Sequence, residues 1–151
     1  MVKITLPDGT EKKFQKNITI REVAFNIGEK LGNSALAGKT NGTMVDLNSQ
    51  INEDTSLSVV TEDSKEGLEI LRHSTSHIMA MAVGRLFPNV KFGIGPTIEN
   101  GFYYDFDLEE TLTQEHLEKI EKEMEKIIAE DIPIARNCYS CSDAIKLMGA
   151  N

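Results

Sequence analysis

The chain opens with the stretch Val2-Lys3-Ile4-Thr5-Leu6-Pro7-Asp8-Gly9-Thr10, and this stretch decides the fold of the first 60 or so residues. Apolar Val2, Ile4 and Leu6 alternate with polar residues, and an alternation of period two predicts a strand with one buried face. Its Pro-Asp-Gly segment has the composition of a tight turn. Residues 11–16 then return as a second strand, so the chain begins with a predicted β-hairpin.

A helix follows this hairpin. Thr19 and Glu22 have the spacing of a capping box, in which each side chain bonds the backbone N–H of the other residue. We predict the helix from Ile20 to about Leu31, with Gly32 as its C-cap. Its apolar side chains fall on one face, which predicts packing against a sheet.

Three more strands complete this first unit. Asn41-Gly42 is a strong signal for a two-residue hairpin turn between two of them. The predicted strands span residues 36–40, 43–46 and 57–60. The order β-β-α-β-β-β, with one helix on a mixed sheet, predicts an α+β fold of the ubiquitin-like β-grasp type. We assign this domain to residues 1–62, because the polar segment 61–65 is typical of a domain boundary.

Residues 63–151 form a second predicted α+β unit. Its first helix is predicted over residues 64–86, and Pro88 ends it. Asp63 and Glu66 have the spacing of another capping pair at its start. The predicted core stripe of this helix consists of Leu71, Thr75, Ile78 and Ala82, with Leu68 and Leu86 at its edge.

Two histidines, His73 and His77, lie four residues apart on the opposite face of that helix. This spacing stacks two imidazoles on one side of the helix. Such a pair can hold a metal, position a water molecule or shuttle a proton. It cannot complete a zinc site, which needs three or four protein ligands. Ser76, Ala80 and Gly84 share the face, and the last two leave room for a close backbone or a cleft.

A second hairpin follows the helix. Residues 90–94 and 102–106 alternate in polarity, and Asn100-Gly101 is predicted as the turn between them. The side chains predicted on the buried face of the second strand are Phe102, Tyr104 and Phe106.

Two further helices are predicted after this hairpin. Thr111 and Gln114 are predicted to cap a helix that runs to about Asp131, and Ser142-Asp143 to cap a short helix that ends near Gly149. Residues 132–139 between them are predicted to be extended. The predicted core side chains of the longer helix are Leu117, Ile120, Met124, Ile127 and Ile128.

Composition narrows the class of protein. Residues 1–62 carry 7 basic and 8 acidic side chains, whereas residues 63–151 carry 9 basic and 16 acidic ones, which gives the net charge of −8. Nucleic-acid-binding domains are normally basic, so this balance argues against one. No apolar run approaches the roughly 20 residues of a membrane helix, and the N-terminus lacks the apolar region of a secretory signal.

The two cysteines, Cys138 and Cys141, are too few for a disulfide scaffold. Their C-x-x-C spacing has no second copy and no thioredoxin-like context, so we expect two reduced thiols rather than a zinc or redox centre. A reduced cytoplasmic protein is the simplest interpretation.

Several stretches together resemble the N-terminal region of bacterial threonyl-tRNA synthetases. The most specific are Leu71-Arg72-His73-Ser74-Thr75-Ser76-His77 and Asn100-Gly101-Phe102-Tyr103-Tyr104-Asp105. Residues 1–62 resemble the TGS domain of that family, and residues 63–151 resemble the first part of its editing domain. The resemblance covers essentially the whole chain.

The resemblance implies a proofreading hydrolase attached to a ligase. The family joins L-threonine to tRNA(Thr) with ATP and hydrolyses mischarged seryl-tRNA(Thr) in its editing domain. His73 and His77 match its His-x-x-x-His motif and are the expected catalytic residues, while Tyr104 is expected to line the substrate pocket. The family's second motif, Cys-x-x-x-His, has no match in this chain.

The resemblance also implies that this chain is an N-terminal piece of a longer enzyme. We expect the piece to have little or no editing activity, because half of the pocket is missing. We expect no metal and no cofactor in it, since the ATP, magnesium and zinc of the family belong to a synthetic domain. The expected partner is tRNA(Thr). The intact enzyme is expected to be a cytoplasmic homodimer without membrane contact, and the piece a monomer or weakly self-associated.

Two other functions stay open. A stand-alone TGS-type module would serve binding or regulation, but it would lack the histidine stretch and the run at residues 101–105. A freestanding trans-editing hydrolase would need a complete second pair of pocket residues.

Overall fold

The computed structural model describes residues 1–133 and 137–149. No helix within these two ranges is both long and apolar enough to cross a membrane.

The first unit is a five-stranded mixed sheet with two short helices packed against it. Its elements are β1 (Val2–Thr5), β2 (Glu11–Phe14), β3 (Ile18–Thr19), α1 (Ile20–Ile27), α2 (Glu29–Ser34), β4 (Ala35–Thr40), β5 (Thr43–Val45), β6 (Gln50–Ile51) and β7 (Thr55–Thr61). The strand order in the sheet is β2-β1-β7-β4-β5, with β1 parallel to β7 and the other neighbours antiparallel. This α+β arrangement is β-grasp-like, which confirms the predicted fold class.

The core of this unit lies between the sheet and α1. Its buried side chains are Val2, Ile4, Phe14, Ile20, Val23, Ala24, Ala35, Leu47, Ile51 and Leu57. The predicted alternation in β1 is confirmed, since Val2 and Ile4 are fully buried. The predicted turn at Asn41-Gly42 is confirmed too, because both residues have positive φ, at 48° and 83°.

The predicted single helix from Ile20 to Leu31 is wrong, because the chain forms two helices that meet at Gly28. Gly28 adopts an extended backbone with φ 177° and ψ 144°, which interrupts the helical hydrogen bonding. Gly32 is therefore not a C-cap but an internal residue of α2. A Cβ at Gly32 would lie 2.5 Å from the ring of Phe25, so the glycine permits close packing there. The capping box of Thr19 and Glu22 is present as predicted.

The pairing of β3 with β6 was not predicted. These strands are two residues long, too short to carry a periodic signal, and the ladder joins Ile18 to Ile51 across a loop. It holds Ile51 in the core of this unit, where the side chain is buried and Ile18 packs against the same cluster.

The second unit consists of a long helix, an irregular hairpin and two more helices. Its elements are α3 (Lys65–Leu86), β8 (Lys91–Phe92), β9 (Thr97–Ile98), β10 (Gly101–Phe102), β11 (Phe106–Asp107), α4 (Gln114–Ala129) and α5 (Cys141–Met148). The predicted extended segment 132–139 includes residues 134–136, which lie outside the described residues.

All three caps predicted in this unit are wrong by one or two residues. Ser64, rather than Asp63, caps α3 by accepting a hydrogen bond from the Gly67 N–H at 3.0 Å. Thr113 replaces the Thr111/Gln114 pair at the start of α4. Ser140 replaces Ser142-Asp143 at the start of α5. In each case several neighbouring Ser, Thr or Asp residues compete for the cap, and the local backbone geometry selects one of them.

His116 has a structural role that its sequence position did not suggest. Its Nδ1 accepts a hydrogen bond from the Thr113 N–H at 3.3 Å, while its own N–H donates to Thr113 Oγ1 at 3.4 Å. The imidazole thus takes the place that a Glu or Gln side chain occupies in the usual capping box.

The core of the second unit lies between α4 and the C-terminal half of α3. Its buried side chains are Ala82, Val83, Ile120 and Ile127, with Ile78, Met79, Leu86 and Met124 packed around them. The wider predicted stripes are wrong, since Leu71 on α3 and Leu117 and Ile128 on α4 are 37%, 51% and 61% exposed. The two helices pack along only part of their lengths, which leaves those side chains uncovered.

The predicted hairpin is present but divided into two short ladders. β8 pairs with β11 and β9 pairs with β10, and backbone bonds of Asp105 to Gly93 and Ile94 join them. The turn falls on Glu99-Asn100, one residue before the predicted position, and Gly101 has a φ of 146° in β10. Phe102, Tyr104 and Phe106 share one face as predicted, although they are half-buried rather than buried.

The two units meet at the start of α3. Lys39 of β4 donates to Glu66 of α3 at 2.5 Å, and this hydrogen bond lowers the pKa of the Glu66 carboxyl. A Cβ on Gly67 would overlap the carbonyl oxygen of Thr61, so the glycine lets α3 pass directly beneath the end of β7. The division into domains 1–62 and 63–151 stays a prediction.

Candidate functional site

The histidine pair, His73 and His77, occupies an exposed flank of α3. Their Nε2 atoms lie 3.0 Å apart, and the ring planes meet at 88° with centroids 4.5 Å apart. A hydrogen bond at this distance requires that one Nε2 carries a hydrogen and that the other accepts it, and the tautomers of the two rings decide which is which. The spacing of four residues brings the imidazoles together as the sequence predicted.

The hairpin lies along α3 beside this pair. Arg72 Nη1 donates to the carbonyl oxygen of Glu99 at 2.7 Å. One turn further along, the Ser76 hydroxyl oxygen lies 3.4 Å from the carbonyl oxygen of Gly95. Two turns beyond Ser76, the Phe92 ring packs against Gly84, where an added Cβ would lie 3.2 Å from the ring. These contacts run from the tip of the hairpin towards its base, and we call them the α3–hairpin seam.

Small side chains on α3 make this close approach possible. Ser76 is completely buried, and its hydroxyl donates to the His73 carbonyl oxygen at 2.7 Å. Ala80, on the same stripe, is also buried. The sequence placed this face opposite the core and expected a close backbone or a cleft. The structure puts the hairpin backbone there at Gly95.

Tyr104 braces the hairpin strand that carries Gly95. Its ring stacks on Phe106 with centroids 4.8 Å apart and an interplanar angle of 7°, and it meets Phe92 edge-on. A side chain on Gly95 would overlap the Tyr104 ring. Tyr104 thus lies behind the strand that borders the histidine pair, and its contact with a substrate stays a prediction.

The described residues contain no group of three or more His, Cys, Asp or Glu side chains able to hold a metal ion. The histidine pair supplies two nitrogen ligands, fewer than zinc takes from a protein. Cys138 and Cys141 are free and exposed. Among the described residues, the histidine pair thus has no further side chains with which to form a metal site. Two imidazoles can by themselves hydrogen-bond a ligand or transfer a proton.

Arg72 was missed as a site residue. It stands directly before His73 in the sequence, but an exposed arginine on a helix is most simply a solvated side chain. Its contact with Glu99 depends on the register of the hairpin against α3, which no local pattern reveals.

Away from the site, an ion-pair network joins α3 to α4 and makes their packing sensitive to acid. Arg85 contacts Glu130 through two bonds of 2.6 and 2.8 Å and Glu123 through one of 3.2 Å. The bond from Arg85 lowers the pKa of Glu130, and bonds from Lys126 and then Arg85 lower that of Glu123.

We predict that the free energy of unfolding falls as the pH drops below about 4.5, the ordinary value for these carboxyls. The folded carboxylates bind protons less readily than the unfolded ones, so their contribution is complete above that value and is lost below it. Urea titrations between pH 6 and pH 3 measure this loss. Arg85→Ala should make it smaller, and an identical pH dependence in the variant would contradict the prediction.

The first unit belongs to a known class of protein module. Residues 2–61 match the TGS domain family, which agrees with the β-grasp-like sheet described above.

The match to complete proteins extends much further along the chain. The chain is 52% identical over 147 residues to a threonine–tRNA ligase of Geobacillus. It is 50% identical over 144 residues to threonine–tRNA ligase 1 of Bacillus subtilis, and 50% identical over 144 residues to the threonine–tRNA ligase of Marinobacter nauticus. These alignments cover 97%, 95% and 95% of the chain but only 23%, 22% and 22% of the relatives. The chain is therefore homologous to the N-terminal region of bacterial threonine–tRNA ligases, and it spans less than a quarter of their length.

Proposed function

We propose that this chain serves threonine–tRNA ligation as an N-terminal proofreading region, and that residues 63–149 supply one wall of a site that hydrolyses seryl-tRNA(Thr). The observation that carries the proposal is the histidine pair, exposed on α3 beside the hairpin backbone, with its two Nε2 atoms 3.0 Å apart. The homology to threonine–tRNA ligases over nearly the whole chain supports the same reaction.

A ligase for threonine needs a second site because serine is smaller by one methyl group. Such a difference is worth only about 1–3 kcal/mol of binding discrimination. A hydrolytic pocket that admits the serine ester and excludes the extra methyl removes the error. Its wall must be rigid, and the packing of Gly95 between Ser76 and Tyr104 gives this wall a fixed backbone.

The histidine pair can take part in hydrolysis in two ways. An unprotonated Nε2 can accept a proton from an attacking water, as a general base does. A protonated Nε2 can donate to a ribose hydroxyl or to the ester oxygen. Without a ligand, the two Nε2 atoms hydrogen-bond each other. A bound substrate would replace this hydrogen bond with one of its own, so little hydrogen-bonding free energy is lost when it binds.

The wider assignments belong to the same proposal. The partner is tRNA(Thr), the acting assembly is a cytoplasmic homodimeric ligase, and ATP, magnesium and zinc bind in a synthetic domain outside this chain. We assign no metal to the histidine pair, which offers too few ligands. By itself the chain is a monomer or associates weakly. Exposed apolar side chains such as Ile94 and Ile145, which are 63% and 68% exposed, supply the surface for the weak association.

A stand-alone TGS-type module explains less of the chain, since the similarity to ligases extends far beyond residues 2–61. A freestanding hydrolase would need further pocket residues, and the third histidine of the chain, His116, caps α4 instead of joining the pair.

The test uses a grafted ligase, in which this chain replaces the matching 144 residues of the Bacillus subtilis enzyme. We expect the grafted ligase to charge tRNA(Thr) with threonine and to deacylate seryl-tRNA(Thr). The chain alone should deacylate neither seryl-tRNA(Thr) nor threonyl-tRNA(Thr). A grafted ligase that charges tRNA normally but leaves seryl-tRNA(Thr) intact would refute the proposed function.

A further inference from the structure

We propose that Arg72 is a positioning residue of this site, which holds the tip of the hairpin against α3 and thereby sets the gap between the hairpin backbone and the histidine pair. The inference rests on the proposed function, because it assigns Arg72 a role in that same hydrolysis.

The contact made by Arg72 is directed at backbone rather than at a side chain. Its Nη1 donates to the carbonyl oxygen of Glu99 at 2.7 Å and lies 3.4 Å from that of Ile98. Both residues lie at the end of β9 and in the turn that leads to β10. A hydrogen bond from a charged donor is about twice as strong as one between neutral groups.

The tip of the hairpin has little else to hold it. β9 and β10 are two residues long and form a ladder with only two pairs of residues. Ile98 is 49% exposed, and the turn residues Glu99 and Asn100 are exposed as well. The other contacts of the α3–hairpin seam lie nearer the base, at Gly95 and Phe92. Within the described residues, Arg72 is the one side chain of α3 that hydrogen-bonds the tip.

The position of the tip matters because of where Arg72 stands. It precedes His73 directly and lies one helical turn before Ser76, whose contact with Gly95 brings the hairpin beside the imidazoles. Release of the tip would let the strand between Gly95 and Ile98 move away from α3. A pocket that separates serine from threonine by one methyl group tolerates little movement, since a displacement of about 1 Å can cost about 100-fold in rate.

The first test measures deacylation by the grafted ligase under single-turnover conditions. We expect Arg72→Ala to slow hydrolysis of seryl-tRNA(Thr) by about 10- to 100-fold. It should also lower the ratio of seryl to threonyl hydrolysis by about tenfold, because a looser wall excludes the methyl group less well. The matched control is Arg85→Ala, which removes an arginine from the same helix at a distance from the tip and should leave both rates unchanged.

The second test follows hydrogen exchange in the intact chain. Arg72→Ala should speed exchange at the amides of Gly101 and Tyr103, which face β9 across the hairpin, where Tyr103 N–H donates to the Pro96 carbonyl, whereas Arg85→Ala should not. Arg72→Lys should restore part of the protection and part of the discrimination, because the contacts use a single nitrogen that an ammonium group can replace in part.

The outcomes separate this inference from the proposed function. If the unmutated grafted ligase does not hydrolyse seryl-tRNA(Thr), the proposed function fails and the inference fails with it. If that enzyme is active while Arg72→Ala leaves its rate and its discrimination unchanged, the inference alone is overturned. Unchanged exchange at the hairpin tip would overturn it as well.

Discussion

The His73→Ala and His77→Ala variants of the grafted ligase should each lose at least about 100-fold in the rate of seryl-tRNA(Thr) deacylation. Positioned general acid–base groups contribute about 10²- to 10⁴-fold to catalysis. Either substitution also leaves the remaining Nε2 without the partner that now lies 3.0 Å away. The measurement is single-turnover hydrolysis of seryl-tRNA(Thr) at neutral pH.

His116→Ala is the matched control for these variants. It removes an imidazole from the same unit, where it caps α4 together with Thr113. We expect a loss of about 1 kcal/mol in stability and no change in deacylation. Threonine charging should stay normal in all three variants. Equal deacylation by the His73, His77 and His116 variants would remove the histidine pair from the mechanism.

The Ile4→Ala variant should unfold the first unit. Ile4 is fully buried in β1, in contact with the core between the sheet and α1. Truncation of such a side chain costs about 2–5 kcal/mol, and a domain of about 60 residues has little stability in reserve. Urea titration followed by circular dichroism measures the loss. Ile145→Ala, at a side chain that is 68% exposed, should change stability by less than about 0.5 kcal/mol.

The same variant tests the predicted division of the chain. If residues 1–62 and 63–151 are separate domains, Ile4→Ala should remove the exchange protection of amides in β1 and β7. The amides of α4 near Ile120 should stay protected. Loss of protection in both units together would show that the contacts of Lys39 with Glu66 and of Gly67 with Thr61 make them one cooperative domain.

The fold of the first unit was predictable because its local signals agree with one another. The alternation in β1, the capping box at Thr19 and the turn at Asn41-Gly42 each specify a local structure that tertiary packing preserves. The break at Gly28 was not predictable in the same way. Whether a glycine inside a helical pattern interrupts the helix depends on tertiary packing. Here the helix breaks at Gly28, and the ring of Phe25 in α1 packs on Gly32 in α2.

The candidate site was predictable only in part. Spacing along one helix brought His73 and His77 together, because a separation of four residues fixes their relation locally. The seam of Arg72, Ser76 and Gly84 with the hairpin depends on how two distant segments pack. The hairpin itself is irregular where Pro96 lacks an N–H to pair, so its register could not be read from alternation.

The most direct test of the central claim is a crystal structure of the grafted ligase with a non-hydrolysable amide analogue of the seryl-adenosine end of tRNA. We predict that the ribose or the amide lies within about 3.2 Å of Nε2 of His73 or His77, with the hairpin backbone at Gly95 on the neighbouring side. An ordered analogue bound away from both imidazoles would contradict the account.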